Sequence, residues 1–139
     1  MKTSLVTKIY STTSLTVDRD RTIDFMGENA RVYATPMLVR DIELACRDLL
    51  LAHLDPGEDS VGTRVEIDHI AATLLGMAVD ITVTLSELNG RAATFEIEAH
   101  DSVEPICRGR HSRFIVDVAK TAQRLAAKAQ KAAAAQSPA

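Results

Sequence analysis

A hydroxyl, a carboxylate and an imidazole, on Thr35, Glu43 and His69, give this chain the residue types of acid–base and acyl-transfer chemistry. Thr35 stands where a helix is expected to start, Glu43 lies two turns further along it, and His69 falls on the apolar face of the next strand-like run. A threonine at a helix N-terminus combines a hydroxyl donor with exposed backbone N–H groups, a combination that stabilises an oxygen gaining negative charge under attack. An imidazole with an ordinary pKa of about 6.5 takes a proton from water at neutral pH, and a nearby carboxylate orients it. Glu43 then reads either as a group that orients the water or as a nucleophile. Each residue also has a plainer explanation. Thr35 before Pro36 is a helix cap, Glu43 pairs with Arg40 or Arg47 at helical spacing, and His69 is a hydrogen-bonded core histidine.

The elements that must position these groups follow from the hydrophobic period. Residues 13 to 18 alternate as a short strand, and a polar stretch with Gly27 leads to Thr35-Pro36. With Thr35 as N-cap and Pro36 at the first helical position, a helix runs through MLVRDIELACRDLLLAHL to Asp55-Pro56-Gly57. Around Ile42, the residues Leu38, Val39, Ala45, Cys46, Leu49, Leu50 and His53 share one arc, with Glu43 on its flank and Met37, Leu44 and Leu51 behind. Apolar groups on both sides predict a helix enclosed by a sheet and by a partner subunit. Residues 63 to 70 and 77 to 86 alternate as half-buried strands, and Asn89-Gly90 signals a hairpin into residues 93 to 99. A further hairpin is expected through Asp101 to Glu104. The run Ile106 to Val116 carries Arg108, Arg110, His111 and Arg113, and its broken alternation predicts a bulge or a sheet edge. These elements form one domain over residues 1–117, an α+β arrangement with a meandering antiparallel sheet of about five strands wrapped around one long helix. Residues 118–139 form an Ala-rich C-terminal helix and tail, with Val118, Ala122 and Leu125 as anchors and a fraying end at Gln136-Ser137-Pro138.

Composition excludes several classes. At 139 residues, 46% hydrophobic and 25% charged, the chain is one soluble domain with a real core. A net charge of -3, mixed along the chain, gives no footprint for nucleic acid or an anionic membrane. The N-terminal stretch lacks the apolar run of a signal peptide and no segment has the length of a membrane span, so a cytoplasmic protein is expected. Cys46 and Cys107 lack metal-ligand spacing and read as buried thiols. His100, Asp101 and His111 have no diagnostic ligand spacing either, so neither a metal nor a cofactor is expected. No G-x-S-x-G, G-x-G-x-x-G or P-loop occurs, which leaves serine hydrolases of the usual kind, dinucleotide enzymes and nucleoside triphosphatases unsupported.

Three stretches, YATPMLVRDIELAC, LDPGEDSVGTRVEIDHIAATLLG and EAHDSVEPICRGRHSRFIV, resemble the fluoroacetyl-CoA thioesterase family over about residues 12 to 117. The resemblance rests on Ala34-Thr35, Glu43 followed by Ala45-Cys46, Asp55-Pro56-Gly57-Glu58, Gly62-Thr63, His69-Ile70-Ala71-Ala72-Thr73, Ala99-His100-Asp101 and Arg113 in combination. It implies a hotdog fold and hydrolysis of a small acyl-CoA to free acid and coenzyme A, by a homodimer with its site at the subunit interface. It also implies that Thr35, Glu43 and His69 are catalytic, and that Gly62, Arg113 and Tyr33 contact substrate. Where the family has an aromatic gate ahead of its threonine, this chain has Asn29, with only Tyr33 keeping aromatic character, and Leu74-Leu75 stands where prolines follow the histidine. Selectivity for a fluoroacetyl group is therefore not expected. Arg113, Arg108 and Arg110 are open between holding a coenzyme A phosphate, bridging subunits and lying on a solvated strand face. A hotdog protein that binds an acyl ligand without turning it over, and an acyl-CoA hydratase or dehydratase, are the alternatives; release of free thiol separates them.

Overall fold

The chain winds an antiparallel sheet around a single central helix. The structure, a computed structural model, describes residues 1–136. Its elements are β1 (Tyr10–Thr16), β2 (Thr22–Ile23), β3 (Val32–Tyr33), α1 (Thr35–Leu51), β4 (Glu58–His69), β5 (Ala78–Asn89), β6 (Ala92–Asp101), β7 (Pro105–Asp117) and α2 (Val118–Gln136). Most of the apolar arc read from the sequence is the buried face of α1: Leu38, Ile42, Ala45, Cys46, Leu49 and Leu50 share one core with Val79, Ile81, Val83, Phe95 and Ile115, while Val39 and His53 are only half-buried. Burying such side chains contributes roughly 1.5–3 kcal/mol each, so this contact fixes the helix on the sheet.

The sheet order is β1-β5-β6-β7-β4, every pairing antiparallel. The expected meander therefore holds only for β5, β6 and β7. Strand β4 crosses to the far side of β7 because residues 70–77 make no hairpin turn. Instead they pair with the chain ahead of α1, through Tyr33 N–H on Thr73 O at 2.8 Å, Leu75 N–H on Arg31 O at 3.2 Å, and a Val32–Leu74 bridge. A register shift in β4 lies between Gly62 and Arg64, and strand β7 is interior rather than an edge, with the expected bulge at Ile106, where its register against β6 shifts between Ala99 and His100. Its alternation looked broken because two polar side chains, His111 and Arg113, face inward and are buried. The β5–β6 hairpin turns at Gly90-Arg91, one residue later than expected, with Gly90 at φ +61°. At the next hairpin Asp101 N–H bonds Glu104 O at 3.0 Å, as expected for that turn.

Helix α2 leaves the sheet directly from β7, with the Asp117 carboxylate accepting from Lys120 N–H at 2.9 Å. None of its side chains is buried; Val118 and Leu125 are 48% and 61% exposed, so with Ala122 also exposed the expected anchors do not hold it to the sheet. The expected fraying at Ser137-Pro138 lies outside the described residues. Among the described residues no helix is long and apolar enough to cross a membrane.

Candidate functional site

Thr35 is not the cap of α1. The N-cap is Ala34, in extended conformation, whose carbonyl accepts from both Met37 N–H and Leu38 N–H at 3.0 Å. Since Pro36 has no N–H, the amide left at the helix start is that of Thr35 itself. The Thr35 hydroxyl is free of capping and lies 2.8 Å from Nδ1 of His69, the last residue of β4. This pairing joins two of the three residues singled out by type. His69 is half-buried and its Nε2 is closed off from solvent without a hydrogen-bond partner among the described residues, an unusual state for a polar atom. Burial pushes the imidazole below its ordinary pKa, which favours the neutral, proton-accepting form.

Beside this pair lies an open, largely apolar depression of about 290 Å³ bounded by Ile23, Val32, Tyr33, Ile70, Ala71 and Ala72. The Tyr33 ring stands edge-on to the His69 ring, with centroids 6.4 Å apart. Its hydroxyl points away from the depression and donates to the Asp41 carboxylate, which also receives Arg21 Nε and Nη2 at 2.9 and 3.2 Å. Tyr33 therefore offers the depression a ring and not a hydroxyl. Asn29 occupies an exposed short turn, Glu28–Ala30, and Phe25 and Met26 just before it are 84% and 66% exposed.

Glu43 belongs to a second cluster. The alternative partners on its own helix do not hold it: Arg47 is bonded to Asp59 at 3.0 and 2.7 Å, and the nearest cation is Arg113 Nη1, 3.8 Å from Glu43 Oε2. The Arg113 side chain is buried, with Nε donating to Ser60 Oγ at 2.7 Å and Nη2 to Ser60 O at 2.9 Å. It is thus neither a surface phosphate ligand nor a strand-face charge. Arg110 lies on the outer face 3.3 Å from Glu96, and Arg108 is exposed beside it. A Cβ added to Gly62 would lie 3.4 Å from Glu43 Oε2 and 3.5 Å from Arg113 Nη1, so the glycine sits directly over the ion pair. Eight residues of helix separate Glu43 from Thr35, a rise of about 12 Å. Within one chain the three residues thus form a Thr35–His69 pair and a separate Glu43–Arg113–Gly62 cluster.

Asp41 and Ser60 were not singled out by type, and His111 stood out only as a metal-ligand type without diagnostic spacing. Asp41 flanks the apolar arc of α1 opposite Glu43, and that symmetry, with Arg21 in the preceding polar stretch, was the available signal. Cys46 and Cys107 are buried as expected, and burial pushes their thiols up to about 12 and about 11. Neither is expected to react with an aromatic disulfide reagent at pH 8 until the protein is unfolded; rapid labelling of the native protein would contradict this.

The chain was compared with known proteins. Residues 17–119 match the family model described as fluoroacetyl-CoA-specific thioesterase. The fluoroacetyl-CoA thioesterase of Streptantibioticus cattleyicolor is 36% identical over 94 residues, covering 68% of each protein. A point mutant of the fluoroacetyl-CoA-specific thioesterase superposes with a TM-score of 0.84 at 29% identity, over 91% of this chain and 99% of that one. A thioesterase-superfamily member from Thermus thermophilus superposes with a TM-score of 0.86 at 27% identity, over 95% and 98%. The fold is the hotdog fold, and the chain belongs to the fluoroacetyl-CoA-specific thioesterase family.

Proposed function

We propose that the protein hydrolyses a small acyl-CoA thioester to free acid and coenzyme A. The observation that carries this reading is the Thr35–His69 hydrogen bond at the rim of an apolar depression. With the His69 proton on Nδ1, donated to Thr35 Oγ1, Nε2 keeps its lone pair, and water reaches it only when the contacts that close it off from solvent part on substrate binding. The Thr35 hydroxyl keeps its own proton for the thioester carbonyl, and its N–H adds a second donor to the oxygen that becomes charged. Water attacks the carbonyl carbon as His69 Nε2 takes its proton; the C–S bond then breaks, and that proton returns to the departing thiolate. The apolar wall of Ile23, Val32, Ile70 and the Tyr33 ring suits a short acyl chain. With Asn29 exposed and no aromatic side chain there to close over it, fluoroacetyl selectivity does not follow.

Glu43 enters this reading through a second copy of the chain. Strand β4 is a sheet edge of twelve residues, Glu58–His69, with Val61 and Val65 exposed, a surface that calls for cover. A two-fold antiparallel pairing centred on Glu66 keeps the pleat in phase. Val65 then opposes Ile67 and Arg64 opposes Asp68, while each Glu66 keeps its own Arg64 at 2.8 Å. His69 of one copy falls opposite the Gly62–Arg64 irregularity of the other, where Glu43 lies. In such a homodimer Glu43 orients the water or acts as nucleophile, and Gly62 and Arg113 frame it. Acyl-CoA substrates and the unpaired thiols fit the cytoplasmic setting expected from the sequence.

The test is release of free thiol from a panel of short, branched and aromatic acyl-CoAs, with the oligomeric state measured alongside. Dimeric protein that releases thiol, with Glu43→Gln slowing release but sparing binding, is the expected result. A protein that binds acyl-CoA and releases no thiol from any member would be a binding module, and the hydrolase reading would fall.

A further inference from the structure

Under the Glu43–Gly62 surface runs a buried chain of polar groups to which the reaction above assigns no part. His111, on β7, is fully buried, and its Nδ1 lies 2.8 Å from the carbonyl oxygen of Arg64. A carbonyl only accepts, so Nδ1 carries the ring proton and Nε2 presents a lone pair. Arg113 Nη1, 3.1 Å away, donates to that lone pair. Together with the two bonds to Ser60, this gives the guanidinium three fixed acceptors, which set its plane and leave Nη1 beside Glu43. The register shift between Gly62 and Arg64 in β4 accompanies the approach of Arg64 O to the ring. A Cβ at Gly62 would come within 3.2 Å of His111 Cε1, so the glycine gives the ring its place next to the ion pair.

The chemical type of the acceptor matters. A carboxylate at this position would pair with Arg113 and draw its charge away from Glu43, whereas a neutral imidazole accepts the hydrogen bond without competing for it. We propose that His111 is a positioning residue, a neutral imidazole held with its proton on Nδ1 that aims Arg113 at Glu43. The inference rests on Glu43 taking part in the proposed hydrolysis.

Two substitutions separate the two ends of the ring. His111→Asn keeps a donor near Nδ1 and removes the acceptor, while His111→Gln brings an amide oxygen within reach of the Nε2 position. His111→Asn is expected to lower kcat by about a hundredfold with KM nearly unchanged, the scale of a misplaced reacting group, and His111→Gln to recover most of that loss. In a Glu43→Gln background His111→Asn should cost nothing further, because its effect passes through Glu43. Full kcat in His111→Asn, equal impairment of the Gln variant, or an undiminished loss in the Glu43→Gln background would each overturn the proposal. A wild-type rate in Glu43→Gln would instead remove Glu43 from the reaction and the relay with it; a slow Glu43→Gln beside an unaffected His111→Asn sinks the relay alone. Nitrogen-15 NMR of the wild-type ring needs neither substrate nor a folded variant: a protonated Nδ1 and a bare Nε2 are expected, and the opposite tautomer overturns the assignment.

Discussion

Replacing His69 with alanine is expected to lower turnover by about two to four orders of magnitude, the span of a lost general base, while the protein stays folded. The second half of that expectation follows from Nε2. A polar atom closed off from solvent with no partner among the described residues destabilises the fold that holds it, so deleting the half-buried ring removes a penalty along with its packing. A core histidine with a purely structural part predicts the reverse, normal chemistry per folded molecule and a large fall in melting temperature. The pH profile gives an independent reading. Burial holds the imidazole below its ordinary value of about 6.5, so the neutral base persists as pH falls through that value and is lost only further down. The acid limb of kcat/KM should therefore lie below about pH 6.5 and vanish in the residual activity of His69→Ala. An acid limb above pH 7, or a rate within tenfold of wild type in the alanine variant, would remove His69 from the proposed chemistry. Because Cys46 and Cys107 are buried, thiol release can be followed with a disulfide reagent without a signal from the folded enzyme.

Much of this arrangement was legible in the chain, and the failures have physical causes. The apolar arc of α1 and the strands β5 and β6 were readable because one face of each is buried and the period is clean. Strand β7 was misread as a candidate edge because His111 and Arg113 face inward, and a polar inward residue is indistinguishable from an outward one until its partners are known. The place of β4 was hidden because it depends on residues 70–77 pairing with residues 31–33, a long-range choice that no local turn signal encodes. Residue type and spacing picked out Thr35, Glu43 and His69, but the capping role for Thr35 was wrong: Ala34, with no side chain to cap with, holds that position, and this is what releases the hydroxyl to His69. The rise of two helical turns keeps Glu43 from Thr35 within one chain, which residue type alone did not show.

Loss of the Asp41 carboxylate should be the most destabilising single change near the site. Asp41 is 6% exposed and holds the Tyr33 hydroxyl and two nitrogens of Arg21 at once, tying the chain ahead of α1 to the helix itself. In Asp41→Ala the Tyr33 hydroxyl is left buried without an acceptor, and Arg21 keeps only Asp18, at 2.7 Å. Breaking a buried pair by removing one partner costs about 3–5 kcal/mol; because the Arg21 side chain is still 24% exposed, the lower end applies, about 3 kcal/mol. For a chain of this size that is a fall of about 10 °C in melting temperature, measurable by calorimetry. The cause is separable from simple loss of volume. Replacing the whole set with Tyr33→Phe, Arg21→Met and Asp41→Leu removes every orphaned polar group, and it should recover most of the stability that Asp41→Ala loses. Tyr33 forms the wall edge-on to His69, and the backbone N–H of Ala34, the cap of α1, bonds to Arg21 O at 2.8 Å. If the charged network serves only to hold these groups together, the apolar triple variant should regain activity along with stability. If the network also fixes where Thr35 meets His69, stability should return and turnover should stay low, and the second outcome is the one expected, because a carboxylate gripping two partners sets a direction that packed methyl groups do not.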